Sequence, residues 1–134
     1  MVLEFQCVSG GVHPEVGAVW YRIPKCSGGE NDRYDRYLCS ALSMTMHTAS
    51  ECEAALKLID LVQSGKSTEE QYGLNDTCVT FRPSSVQVDI LIEEEIGTPV
   101  GRFGLKEFRN AVSAWREFLL MPESSESTLR VDIA

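Results

Sequence analysis

Apolar positions along the chain follow two rhythms, and the clearest example of each lies between Thr77 and Leu120. Val86-Gln-Val-Asp-Ile-Leu-Ile92 alternates with period two, which puts Val86, Val88, Ile90 and Ile92 on one face of a strand. Thr77-Cys-Val-Thr-Phe-Arg82 reads as its partner, and Pro83-Ser-Ser85 supplies the turn of an antiparallel hairpin. After a third short run at residues 98–104, the rhythm changes. Leu105, Phe108, Val112, Trp115, Phe118 and Leu119 recur at helical spacing, while Lys106, Glu107, Arg109, Asn110, Ser113, Arg116 and Glu117 take the other face. An amphipathic helix is expected, covering the hairpin's sheet.

The remaining chain gives shorter signals. Residues 2–8 read as a first strand bounded by Gly10-Gly11, and residues 16–23 as a second closed by Pro24. Residues 25–33 are loop-like. Residues 34–47 carry both rhythms: Leu38, Leu42, Met44 and Met46 fit a strand, whereas Tyr34, Leu38, Ala41 and Leu42 fit a helix. A strand is expected there, because Thr48 and Ser50 follow as better helix starters. Ser50-Glu-Cys-Glu53 fits a capping box, opening a helix that buries Cys52, Ala55, Leu58, Ile59 and Val62 and stops at Gly65. Residues 66–71 read as a polar connection. Pro122 ends the last helix, residues 123–128 form a polar spacer, and residues 129–133 alternate as an edge strand or fraying end. The order β-β-β-α-β-β-β-α predicts an α+β fold. Its expected form is an antiparallel sheet of about five to six strands with two helices on one face. Residues 1–134 are expected to be one globular domain, with 122–134 a mobile tail or an edge strand.

Composition narrows the picture. A chain of 134 residues, 43% hydrophobic and 24% charged, is globular and buries roughly 65–70% of its unfolded surface. No apolar run approaches the ~20 residues that span a bilayer. Five cysteines form an odd set without a C-x-x-C pair, and the opening residues show no basic segment followed by an apolar run. Reduced cysteines in a cytoplasmic protein are the expectation. Twenty acidic against twelve basic residues give a formal charge of −8. That argues against nucleic acid or an anionic membrane as partner, since both need clustered Lys and Arg. It is compatible with a basic protein partner.

Candidate chemistry is sparse. His13 and His47 are the two histidines, and no H-E-x-x-H or Cys/His cluster is present, so neither a metal nor another cofactor is expected. Cys39 or Cys52 with His47 would make a nucleophile pair only if brought into hydrogen-bond contact. The sharpest charge feature is Glu93-Glu94-Glu95, preceded by Asp89. Such a run suits a solvated loop that discourages edge pairing, a patch for a basic partner, or a site for a hard cation or general acid–base work. Tyr34 and Tyr37, set among Asp32, Arg33, Asp35 and Arg36, have the composition of an interaction surface or of an amphipathic edge. Trp115 belongs to a core, and Trp20-Tyr21 in a strand must point to opposite sides.

The hairpin over residues 77–95, followed by Gly101-Arg-Phe-Gly-Leu-Lys-Glu-Phe-Arg-Asn-Ala-Val-Ser-Ala-Trp-Arg-Glu-Phe-Leu119, resembles the C-terminal portion of small bacterial immunity proteins of contact-dependent inhibition and polymorphic-toxin systems. Its layout is also similar to the YacL family. The likeness covers roughly the last third of the chain and rests on an F-x-x-A-x-x-x-W-x-x-F-L packing helix. It implies a non-enzymatic cytoplasmic inhibitor that binds a basic toxin domain, a nuclease being the expected kind, and occludes its active site or substrate groove. Asp89, Glu93, Glu94 and Glu95 are the expected contact residues, with Tyr34 and Tyr37 as anchors. Two alternatives stand beside it. One is a YacL-like regulatory or structural module, homodimeric through a sheet edge. The other is a small enzyme with a carboxylate or cysteine site.

Overall fold

Leu3, Phe5 and Cys7 alternate into the interior from strand β1, Val2–His13, which fixes the register of everything around it. The computed structural model describes residues 1–27, 31–93 and 96–134. Strand β2, Gly17–Ser27, returns antiparallel to β1 in unbroken register from Val2↔Ser27 to Ser9↔Trp20, and the register shifts before Val12. A helical stretch, α1, then runs through Asn31–Arg33, a π-helical Tyr34–Cys39 and Ser40–Thr45. Helix α2, Ala49–Gln63, follows. Strands β3 (Glu70–Leu74), β4 (Thr77–Phe81), β5 (Ser85–Ile90) and β6 (Arg102–Gly104) come next, the last two separated by a 3₁₀ turn at Pro99–Gly101. Helix α3, Leu105–Leu119, and strand β7, Thr128–Asp132, complete the chain.

The α+β class and the antiparallel pairing agree with the sequence. The strands, however, form two sheets among the described residues: β2-β1-β7 and β3-β4-β5-β6. Residues 129–132 thus belong to an edge strand, but one paired with β1 at the far end of the chain. Helix α3 explains the division. Toward its N-terminus Phe108 meets Phe81 of β4, with ring centroids 5.9 Å apart. Toward its C-terminus Trp115 and Phe118 enclose Phe5 of β1, at 5.0 and 5.7 Å. One apolar helix face therefore serves both sheets, and a single buried cluster connects them.

Three local readings change. Residues 34–47 are helical up to Thr45, because Tyr34, Tyr37, Leu38, Ala41 and Leu42 give a complete buried stripe. The competing strand face fails at Met44, which is 48% exposed. Helix α2 starts two residues earlier than Ser50 suggested. Thr48 is its N-cap, accepting the Glu51 N–H at 3.2 Å, while Glu51 accepts the His47 N–H at 3.0 Å. Of its expected core positions, Cys52, Ala55, Ile59 and Val62 are buried and Leu58 is half-buried. Gly65 takes a φ of +79° just past the helix, a conformation glycine adopts without a Cβ clash. Finally, the polar connection ends in β3, whose Tyr72 alone packs partly against the core and donates its hydroxyl to the Thr45 carbonyl at 3.1 Å.

The end of α3 is held from β2. Arg22 donates to the carbonyls of Phe118 and Met121, both at 2.7 Å, and its guanidinium lies 5.2 Å from the Phe118 ring. Both are carbonyls at the helix terminus, and the Phe118 carbonyl also accepts the Met121 N–H at 3.0 Å. Arg22→Met keeps the apolar stem and removes both charged bonds. It is expected to lower unfolding free energy by about 2 kcal/mol, seen as a lower urea midpoint with an unchanged slope.

Candidate functional site

The acidic run selected from the sequence turns out to be tied into the fold where it is described. Asp89 accepts the Gly97 N–H at 2.7 Å and a longer bond from Gln87 at 3.4 Å, so its carboxylate pins the loop after β5. Glu93 pairs with Arg36 and accepts the Tyr37 hydroxyl at 3.1 Å. Glu94 and Glu95 lie outside the described residues. Tyr34 and Tyr37 correct the sequence reading. Both rings are buried, at 6% and 5% exposure, because i and i+3 on a helix share its inner face. Tyr34 packs edge-on against Phe103 at 5.0 Å and donates to Glu107 at 2.8 Å. These tyrosines attach α1 to the second sheet and to α3, and they are not surface anchors.

The cysteine alternative meets a different obstacle. Burial pushes the Cys26 thiol up to about 12, with the Asp35 carboxylate adding to it. Burial likewise raises Cys52 to about 12 and moves Cys39 upward, helped by Asp35. These groups remain thiols at neutral pH, whereas the thiolate is the nucleophile. Among the described residues, the His47 ring makes no hydrogen bond to either Cys39 or Cys52, and no three His, Cys, Asp or Glu side chains are placed to share a metal ion. Also among them, no helix is long and apolar enough to cross a membrane.

A feature the sequence reading did not select is a trough beside β2. Two cavities, of about 610 and 410 Å³, share Arg22, Ile23 and Ser43 and so run together along that strand. The larger is walled by Trp20 of β2, by Met46 and His47 after α1, and by Trp115 and Leu119 of α3, with Glu123 among its lining. Its position follows from local structure. Trp115 donates its indole N–H to the Met46 carbonyl at 2.7 Å, which fixes the end of α1, while Arg22 fixes the end of α3. Tyr21 and Ile23 on the other face of β2 are 56% and 39% exposed, which extends apolar surface around the strand. The available signal was Pro24 inside a strand, since proline in a sheet marks an edge.

Compared with family models, curated proteins and solved structures, the chain has no significant match to any.

The Glu93–Arg36 pair generates a pH test. Hydrogen bonding from Arg36 holds the Glu93 carboxyl below its ordinary value of 4.5, and the Tyr37 hydroxyl assists. A carboxyl lowered on folding adds stability that is complete above its unfolded value and lost as pH falls through the lower folded value. Wild type is therefore expected to exceed Glu93→Gln in stability at neutral pH, and the difference to shrink in acid below that folded value. Urea midpoints measured across the acid range check this.

Proposed function

We propose that the chain is an immunity-type inhibitor, a non-catalytic protein that binds a basic toxin domain, with a nuclease the expected kind, and blocks its active site or substrate groove. The observation that carries this reading is how the arginines are used. Arg36, Arg82, Arg109, Arg116 and Arg130 each pair with a carboxylate, and Arg22 and Arg33 donate to main-chain carbonyls. The chain's positive charge is thus largely engaged internally, while twenty acids against twelve bases leave a net −8. A surface of that kind steers a basic protein into contact and repels nucleic acid. A nuclease groove is built to receive phosphate charge, so an acidic protein in it competes for the same cations.

The buried high-pKa thiols and the structurally engaged Asp89 and Glu93 support binding in preference to acid–base or nucleophilic chemistry. With Tyr34 and Tyr37 in the core, the contact surface moves to exposed acids and to the exposed apolar groups beside β2.

Affinity capture from cells that naturally make the protein tests the proposal. The expected result is one basic protein held in near-equal amount, released more readily at high salt, whose degradative activity on RNA or DNA falls when this chain is added back. Recovery of the chain with no basic partner, or of a partner whose activity it leaves untouched, would contradict the reading.

A further inference from the structure

Strand β7 forms one margin of the sheet β2-β1-β7, and its outer edge is bare. In an antiparallel ladder, successive residues turn their N–H and C=O groups alternately to one neighbour and the other. The parity is fixed at both ends. Ile133 donates its N–H to the Met1 carbonyl at 3.0 Å, and Cys7 donates to the Ser127 carbonyl at 3.3 Å. Odd-numbered residues of this segment therefore face β1, through the register that runs from Val2↔Asp132 to Gln6↔Thr128. Thr128, Arg130 and Asp132 turn their main-chain groups outward, where no hydrogen-bond partner meets them among the described residues. Their side chains are exposed, while Leu129 and Val131 lie half-buried against the core.

The other edges are closed, broken or of one charge. Beside β2 lies the helical stretch α1: Asp35 takes the Cys26 N–H at 3.0 Å, and Cys39, Ser40 and Ser43 line the trough against Pro24. Where β1 runs on past β7, Gly11 takes a φ of +86° and the register shifts before Val12, a break that discourages edge pairing. On β6, Arg33 donates to the Arg102 carbonyl at 2.8 Å. Strand β3 carries Glu70 and no base, with Glu69 just before it. Strand β7 instead presents an open edge with both signs of charge, Arg130 and Asp132.

We propose that this edge pairs with the same edge of a second copy, around a two-fold axis at Val131, so that the two sheets become one. Charge selects the register. Antiparallel pairing must match outward residues with outward residues, which leaves axes at Leu129, Arg130 or Val131. An axis at Arg130 sets the two arginines opposite each other, and one at Leu129 carries Asp132 past the end of the neighbouring strand. With the axis at Val131, Arg130 of each copy stands opposite Asp132 of the other, and each such pair exchanges both N–H···O bonds. Arg130 gives Nη1 to Glu4 at 2.8 Å, which leaves Nε and Nη2 for the facing carboxylate. Asp132 uses Oδ1, toward the Ala134 N–H at 3.0 Å and the amino terminus at 3.7 Å, and keeps Oδ2. Beneath the axis, Val131 borders a groove of about 360 Å³ whose α3 wall includes Ser113 and Ala114, small residues that leave space for the second Val131. The net charge of −8 opposes self-association, but the charged side chains of this sheet face, Glu4, Lys25, Arg130 and Asp132, cancel. The pairing is independent of the inhibitor reading: a dimer forms or fails whatever protein the chain binds.

An interface confined to one short strand belongs to the weak class. Sedimentation equilibrium and hydrogen exchange by NMR therefore follow the purified chain from micromolar to millimolar concentration. The expected result is a monomer–dimer equilibrium, with exchange at the Arg130 and Asp132 N–H groups slowing as the dimer forms. Arg130→Asp and Asp132→Arg each set like charges opposite one another and should weaken the dimer roughly ten-fold or more. The double variant reverses both signs and should restore it. Arg130→Pro removes an outward N–H without taking a bond from β1, and should abolish the dimer while its melting curve shows that it still folds. A monomer at every concentration, a dimer indifferent to the single changes, a double variant as weak as the singles, or protection at β3 in place of β7 would overturn the proposal. So would slowed exchange at Arg130 and Asp132 that requires another protein, since the second copy would then not be the occupant.

Discussion

The packing of one aromatic trio, Phe5 with Trp115 and Phe118, holds the two halves of the molecule in relation. Phe5 comes from the first sheet, and the other two come from the helix that also lays Phe108 against Phe81 of the second sheet. All are buried, so separating either sheet from the helix would expose large aromatic area, worth several kcal/mol. The same helix end collects the polar ties. Trp115 bonds to the Met46 carbonyl, and Arg22 bonds to the carbonyls at the helix terminus. One side of β2 is thereby anchored to α3 through the Arg22 side chain. The trough beside β2 is a by-product of how the core closes.

Elements with a long, unambiguous rhythm were legible from sequence. The hairpin of β4 and β5 and helix α3 lie nearly where periodicity put them, because the apolar positions that recur along each are buried together in one core. The division into two sheets was not legible. Pairing between residue 2 and residue 132 leaves no local trace, and alternation in β7 reveals a strand without its partner. Residues 34–47 were misread because their apolar positions satisfy two periods at once, and Met44, the position that separates them, is exposed.

That one reassignment also explains why the candidate site moved. On a strand, Tyr34 and Tyr37 would point to opposite sides and leave one ring for a partner; on a helix they share the inner face and their hydroxyls reach Glu107 and Glu93. The consecutive glutamates looked like free surface charge, yet Glu93 meets Arg36 from the same helix. Sequence shows the sign of a charge but not its neighbour, so internal pairing of this kind is invisible until the fold is known. What composition did convey is the surplus: pairing the arginines leaves the imbalance of acids over bases untouched, and it persists as a property of the surface.

An acid-rich exterior and internally engaged arginines support the proposed role of holding a basic protein. In the role proposed above, that binding neutralises a harmful protein. The most direct measurement is growth of cells induced to make the captured basic partner, with and without this chain produced alongside it. The account predicts arrest with the partner alone and restored growth when both are present. Normal growth with the partner alone, or arrest that this chain does not relieve, would contradict it.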